Sequence, residues 1–256
     1  MVRSLYTACT GMLHQMNRLD VVTNNMANSD TTAYKKEGST SQSFDSVYGI
    51  KINDSSVNYI HQNIGRMSLG VKVGETYTDY GDGNLEETEQ LYDMALSGKG
   101  FFAISYADRN GNESVRYTRD GNFTVNSQGV LVTKDGDFVL AEDGGLINIP
   151  EGVKISVDES GRITADGQEI AQLQLVDFED YNYLEKFGEN MYIAIDGATT
   201  KDAQCKVYQG YLEASNVNVV TEMVDMITIT RDYESNQKVI QTIDSTLEKS
   251  VALGRI

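Results

Sequence analysis

An α+β architecture, with helices at both chain ends forming a coiled-coil-like domain around a central, mainly antiparallel β domain, follows from three observations. Apolar residues in the first and last segments recur at heptad spacing. The middle of the chain loses that period and breaks into short apolar runs separated by glycine-bearing turns. Between the first helix and the β region lies a polar stretch with only isolated apolar residues.

Taken in chain order, Leu5, Met12, Leu19 and Met26 stand seven apart, with Cys9 and Met16 between them at spacings of four and three. That is the a/d seam of an amphipathic helix. Asn24, Asn25 and Asn28, followed by Thr31-Thr-Ala-Tyr-Lys-Lys-Glu-Gly38, supply turn-forming residues that end the helix before about residue 30. Residues 35–74, rich in Ser, Asn, Asp and Gly, read as an extended linker, because a structureless loop of that length is unusual inside a compact domain. Such a segment joins domains or orders against a partner.

Residues 75–209 read as the β domain. Turn signals recur at Arg109–Asn112, Asp120–Asn122, Ser127–Gly129, Asp135–Asp137, Asp143–Gly145, Glu159–Gly161 and Asp166–Gln168. Their spacing fits successive hairpins, with strands at 100–106, 130–133 and 170–178 and Pro150 between two strands. In the last segment Val219, Met226, Tyr233, Ile240 and Leu247 stand seven apart, with Met223, Ile229, Ile243 and Val251 near the complementary positions. The expected organisation is therefore a discontinuous terminal-helix domain (1–34 and 210–256), a linker (35–74) and a β domain (75–209). One helix cannot hide its seam alone, so the ends are expected to meet and still leave apolar surface for neighbouring copies. The same heptads also suit an ordinary amphipathic helix packed on its own β domain.

Charge narrows the function. Across 256 residues, 21 basic and 38 acidic side chains give a net charge of −17, which opposes binding to phosphate backbones and anionic lipid. The longest basic cluster is the pair Lys35 and Lys36, so no nucleic-acid partner is expected. No apolar run reaches the roughly 18 residues that span a membrane, and the N-terminal MVRSLYTACTGMLHQMNRLD lacks the apolar stretch of a cleavable signal. Neither membrane insertion nor a Sec-type signal is expected. Cys9 and Cys205 make no disulfide framework.

A search for reaction chemistry returns little. His14, beside Gln15 and outside the seam, reads as a solvated surface histidine, and His61 lies in the linker. No G-x-S-x-G elbow or H-E-x-x-H pair is present. Asp108, Asn110 and Asn112 begin a calcium-loop alternation, but Glu113 stands at the glycine position and Arg119 at that of the bidentate acid. Gly98-Lys-Gly100-Phe-Phe-Ala precedes an apolar strand, whereas a phosphate-binding loop opens a helix. The acids Glu86, Glu87 and Glu89, and Asp177, Glu179 and Asp180, suit solvated faces. No catalytic residue, cofactor or metal is assigned.

Several of these stretches together resemble the signature of the bacterial flagellar rod and hook axial protein family. They are Ser4-Leu-Tyr-Thr-Ala-Cys-Thr-Gly-Met12, Leu19-Asp-Val-Val-Thr-Asn-Asn-Met-Ala-Asn28, Thr31-Thr-Ala-Tyr-Lys35, Met94–Ile104, Tyr117–Phe123, Gly129–Thr133, Ile147–Pro150, Gln209–Val217, Glu222–Ile227 and Arg231–Glu234. The resemblance covers both ends and most of the middle. Length and a single modest β insertion are similar to the proximal and distal rod proteins. Ala33 departs from the glycine common in the family's Thr-Thr-Gly-Tyr turn.

That resemblance implies a structural subunit exported through the flagellar type III export apparatus without a cleaved signal. It would stack with copies of itself, and with neighbouring rod and hook proteins, into a hollow driveshaft that transmits torque around the export channel in the basal body, outside the cytoplasmic membrane. Leu5, Met12, Met16, Leu19 and Met26, with Val219, Met223, Met226, Tyr233, Ile240 and Leu247, would then form the assembly interface. Asn24, Asn25, Asn28, Thr32 and Tyr34 would shape the turn out of the first helix. Leu212, Glu213, Ser215 and Asn216 would shape the approach to the second, with Ser215 or Asn216 as N-cap. Two other readings stand beside it: a flagellar hook subunit and, more remotely, an acidic β-domain hydrolase acting on the cell wall.

Overall fold

A computed structural model describes residues 2–52, 61–108, 113–150 and 153–254. The Arg109–Asn112 turn, Asn110 and Asn112 of the calcium-loop reading, and the His61 side chain lie outside the described residues. The chain opens with α1 (Val2–Ala27), then β1 (Glu37–Ser43), β2 (Val47–Ile52), β3 (His61–Met67) and β4 (Val71–Thr78). Next come β5 (Leu85–Glu87), β6 (Met94–Lys99), β7 (Phe101–Ala107), β8 (Glu113–Thr118), β9 (Phe123–Val125), β10 (Leu131–Thr133) and β11 (Phe138–Val139). After β12 (Ile155–Val157), β13 (Arg162–Ala165), β14 (Gln168–Gln172) and β15 (Leu175–Phe178), a 3₁₀ turn at Tyr181–Tyr183 leads into β16 (Leu184–Phe187). The chain ends with β17 (Met191–Ala194), β18 (Thr200–Asp202), β19 (Gln204–Gln209), β20 (Tyr211–Glu213) and α2 (Val219–Leu253). Among the described residues all strand pairs are antiparallel.

The chain divides into two compact units: 1–27, 37–79 and 218–256 in one, 28–36 and 80–217 in the other. In the first unit, α1 and α2 lie side by side and antiparallel. Gln15 Nε2 donates to Asp232 Oδ2 at 3.1 Å, Asn25 Nδ2 donates to Glu222 Oε2 at 3.3 Å, and a Cβ on Gly11 would lie 3.1 Å from Asn236 Nδ2. The seam departs from the expected one on its second position. Inward of the Leu5/Met12/Leu19/Met26 row lie Ala8, Gln15 and Val22, three residues on rather than four, and Cys9 and Met16 are exposed. On α2 the row Val219, Met226, Tyr233, Ile240 and Leu247 is joined by Glu222, Ile229, Asn236 and Ile243, whereas Met223 and Val251 are exposed. Polar Gln15, Glu222 and Asn236 at seam positions are what hid this register.

The stretch read as a linker instead pairs β1 with β4 and β2 with β3. β1, Glu37-Gly-Ser-Thr-Ser-Gln-Ser43, carries no apolar side chain. It is a strand because its backbone pairs with β4 and because both strands pack on α1, not because it buries alternate residues. His14, expected on the surface, is buried under this ribbon, and its Nε2 lies 2.8 Å from Ser41 Oγ.

In the second unit, β7 is the central strand of the largest sheet. Along one edge it pairs with β8, and along the other first with β15 and then with β11. Successive side chains of a strand point to opposite faces, so Phe101 and Phe102 feed two cores. Phe102 packs edge-on to Phe123 at 5.1 Å among Met94, Leu131, Ile147 and Ile163. Phe101 meets Tyr192 at 5.4 Å and Phe178 at 6.1 Å. A strand buried on both faces reads as a continuous apolar run, which Phe101-Phe-Ala-Ile104 is. The single strand expected over 170–178 is two, β14 and β15, parted at Leu173 and Gln174. Gly121 brings a turn against β6: its carbonyl accepts from Met94 N at 3.0 Å, and a Cβ there would sit 1.5 Å from Met94 O.

Phe102→Ala is expected to lower the unfolding free energy by about 3–5 kcal/mol, the cost of deleting a fully enclosed ring, as read from the midpoint of urea denaturation.

Candidate functional site

Two segments that carry the recognised motifs, although 180 residues apart at Lys36 and Asn216, come together in the β-rich unit. The amide of Ala33 donates to Glu213 O at 2.8 Å, and that of Asn216 to Tyr34 O at 3.3 Å. The Asn216 side chain closes the pairing: its Oδ1 accepts from Lys36 N at 2.7 Å and its Nδ2 donates to Gly81 O at 3.2 Å. Thr31 Oγ1 donates to Asn28 Oδ1 at 3.2 Å, and the Thr32 hydroxyl donates to the Asp120 carboxylate. Tyr34 is buried with Lys186 Nζ 4.0 Å above its ring, and Leu212 is buried on β20.

At the centre of this junction is a buried charge cluster. The Glu213 carboxylate receives Lys35 Nζ, the Gly83 amide at 2.9 Å and Arg119 Nη1 at 3.3 Å. Lys35 also donates to Gly81 O at 2.8 Å. Arg119 also donates to Gly100 O at 2.9 Å, to Gly98 O, and to Asp82 Oδ1 at 2.9 Å. Burial pushes the Lys35 ammonium down from its usual range while Glu213 beside it pushes back, and Arg119 is held above its ordinary value by Glu213 and Asp82 against desolvation. The Gly98 and Gly100 carbonyls thus serve an internal arginine rather than a phosphate.

Ala33 sits at φ +57, the left-handed region, while 1% exposed. Alanine at this position places a Cβ where L residues are strained.

In the helical unit, Asn25 is fully enclosed. Its Nδ2 donates to Glu37 O at 2.8 Å as well as to Glu222, and its Oδ1 accepts from Glu37 N at 2.9 Å, so one amide pins α1 to both β1 and α2. Asn24 is exposed on α1. The N-cap of α2 is neither Ser215 nor Asn216: Asn218 Oδ1 accepts from Thr221 N at 3.1 Å, and Glu222 supplies the first-turn acid that complements the helix dipole. Asn218 ahead of that acid was the sequence signal for this cap. Ser215 Oγ instead accepts from Val217 N at 3.3 Å. Lys35, Arg119 and Glu222 lie within the signature stretches and Asp82 outside them, but nothing in their local pattern marks any of the four as buried or cluster-forming, since each resembles an ordinary surface charge.

Pairing of the helices leaves apolar surface open. On α1, Tyr6, Cys9, Leu13 and Met16 are exposed at i, i+3, i+7 and i+10; on α2, Val220, Met223, Val224 and Ile227 are exposed at i, i+3, i+4 and i+7. Each set is a stripe along one helix face. Val220 is 71% exposed although it stands in the first turn.

Among the acids considered for catalysis, Asp177 and Asp180 are engaged in structural bonds. Burial would raise Asp177, but the Tyr181 hydroxyl at 2.6 Å, Lys201 at 3.0 Å and the Phe178 amide at 2.8 Å hold its carboxyl below the usual range. Asp180 caps the 3₁₀ turn through Asn182 N. Glu86 and Glu87 lie exposed on β5. No group of three or more His, Cys, Asp or Glu among the described residues is arranged to hold a metal ion, and no described helix is long and apolar enough to cross a membrane.

One unit built on a helix pair with exposed apolar stripes and one β-rich unit knit internally by a buried charge cluster, with no metal-binding group among the described residues, point to the class of structural proteins. Family models identify it further. Residues 5–35 match the flagella basal body rod protein model, residues 95–165 the flagellar hook protein FlgE/F/G D1 domain, and residues 208–253 the flagellar basal body rod FlgEFG protein C-terminal model. The chain is 33% identical over 265 residues to flagellar basal-body rod protein FlgG of Buchnera aphidicola subsp. Schizaphis graminum, covering 97% of this chain and 98% of the relative. It is 32% identical to FlgG of Bacillus subtilis over the full length of both, and 33% identical to the rod protein FlgF of Caulobacter vibrioides over 98% and 96% of the two chains. This chain belongs to the flagellar basal-body rod protein family.

Glu213→Ala is expected to cost about 3–5 kcal/mol, because Lys35 and Arg119 are then buried without their shared carboxylate; urea denaturation at neutral pH measures it. Ala33→Gly, by contrast, is expected to raise the unfolding free energy by about 1 kcal/mol through relief of the left-handed backbone, read from the same transition.

Proposed function

We propose that the chain is a non-enzymatic structural subunit of the flagellar basal-body rod, built to polymerise into a hollow axial shaft around the export channel. The observation that carries this reading is the pair of exposed apolar stripes on the two terminal helices. Exposed faces of that kind, beyond scattered single residues, mark packing surfaces, and full burial of one Leu or Ile side chain is worth about 1.5–3 kcal/mol.

Their positions favour an open array over a closed dimer. Because Gln15 meets Asp232 and Asn25 meets Glu222, the α1 stripe at residues 6–16 lies beside the middle of α2, while the α2 stripe at 220–227 lies beside the last turns of α1. The stripes therefore sit toward opposite ends of the stretch over which the helices pair. A contact joining one stripe to the other stripe of the next copy is heterologous and repeats without closing unless the rotation happens to form a ring. Heptad seams on both helices favour coiled-coil packing within and between copies. Neighbouring rod proteins, which share the family's helical ends, and the export apparatus complete the partner set. The names of the relatives favour rod over hook, and the engagement of Asp177, Asp180 and Glu213 in structural bonds disfavours the hydrolase reading.

Leu13→Glu and Ile227→Glu are expected to abolish polymer growth, followed by sedimentation and electron microscopy, while moving the subunit's unfolding free energy by no more than about 0.5 kcal/mol. Leu19→Glu, half-buried between the helices, is expected instead to lose about 2 kcal/mol or more of stability. Polymers growing normally from both stripe variants would remove the proposed interface.

A further inference from the structure

His14 stands apart from both the helix seam and the charge cluster. Its ring is 7% exposed between α1 and the β1–β4 ribbon, with Nε2 2.8 Å from Ser41 Oγ and Nδ1 buried with no hydrogen-bond partner among the described residues. A neutral imidazole needs one donor and one acceptor relationship, and Ser41 satisfies one of them in either tautomer. An imidazolium is a donor at both nitrogens: Ser41 Oγ must then accept, and the Nδ1 proton has no acceptor in a site closed to water. We propose that His14 is an acid-sensitive latch, through which uptake of one proton by the ring releases the β1–β4 ribbon from α1.

The surrounding charges do not rescue the protonated ring. On α1 itself Arg18 lies one turn on and opposes a second positive charge. β1 carries only Glu37, whose backbone is tied to Asn25, and β4 carries Lys72, Glu75 and Tyr77, all exposed. The facing turn of α2 carries Arg231, Asp232 and Tyr233, and Asp232 already accepts from Gln15. Burial first, and Arg18 second, push the ring below its ordinary value of 6.5. The freed histidine therefore binds a proton before the docked one does. The latch is at full strength above the ordinary value and loses its hold as pH falls below it.

The test uses the full-length chain under conditions in which circular dichroism shows both helices formed. Protection factors of the β1 amides are compared at about pH 7.5 and about pH 5.5, on either side of the ordinary histidine value. In the wild type they are expected to fall by about fivefold or more; in His14→Gln, which keeps a polar partner for Ser41 but does not titrate, they stay within about twofold. Unchanged protection in the wild type, or an equal fall in His14→Gln, overturns the proposal. Should the variant not fold, the wild-type ring titration decides by nuclear magnetic resonance. A His14 midpoint below 6.5 supports the latch, and one at or above it overturns the latch.

Discussion

The Glu213 carboxylate is sealed from water between two cations and a backbone amide, and each of its neighbours is supplied by a different part of the chain. Stripping a carboxylate of solvent costs several kcal/mol, recovered only when every partner arrives with good geometry. Lys35 must therefore be delivered by the turn that follows α1, Gly83 by the loop before β5, and Arg119 by the end of β8. Arg119 in turn is held by the carbonyls of Gly98 in β6 and Gly100 between β6 and β7. The junction is all or none: loss of one member leaves the others charged and dry. Such a cluster adds little net stability compared with a well-packed apolar one, but it tolerates almost no alternative arrangement of the segments that feed it.

Much of the architecture was legible in the sequence because it rests on burial, which periodicity reports. The seven-residue rows on both helices and the run Phe101-Phe-Ala-Ile104 are direct imprints of a face turned from water, and the exposed Asp-Gly turns are imprints of backbone that must reverse. What escaped is what burial does not write. The complementary seam rows include Gln15, Glu222 and Asn236, whose polarity hides their inward position. β1 has no apolar side chain and is a strand only through its pairing with β4 and its support by α1. His14 looked solvated because it falls outside the heptad rows, but α1 has a second inward face turned to the ribbon. Lys35 and Arg119 are long charged residues whose burial is decided by partners far along the chain, so no local pattern could reveal it.

The two units divide the physical tasks. The β body is conventional in its energetics, with aromatic and branched side chains filling two cores on either side of β7. The helical unit is lean by comparison: its helix seam includes polar residues, and apolar stripes remain uncovered. A subunit that completed its own burial would have nothing left with which to hold a neighbour. The incompleteness of the helical unit is thus the counterpart of the rod reading.

The antiparallel helix pair also restricts how it can be assembled wrongly. Heptad rows alone would let α1 slide along α2 by seven residues and still meet apolar surface. The spacing of the polar contacts forbids it. Slid in one direction, Asn25 would face Ile229 in place of Glu222, and Gly11 would face Ile243 in place of Asn236, exchanging a satisfied buried amide for a stranded one at about 1–3 kcal/mol. The polar residues that weaken the seam thereby proofread it, rejecting frameshifted pairings that a purely aliphatic interface would accept.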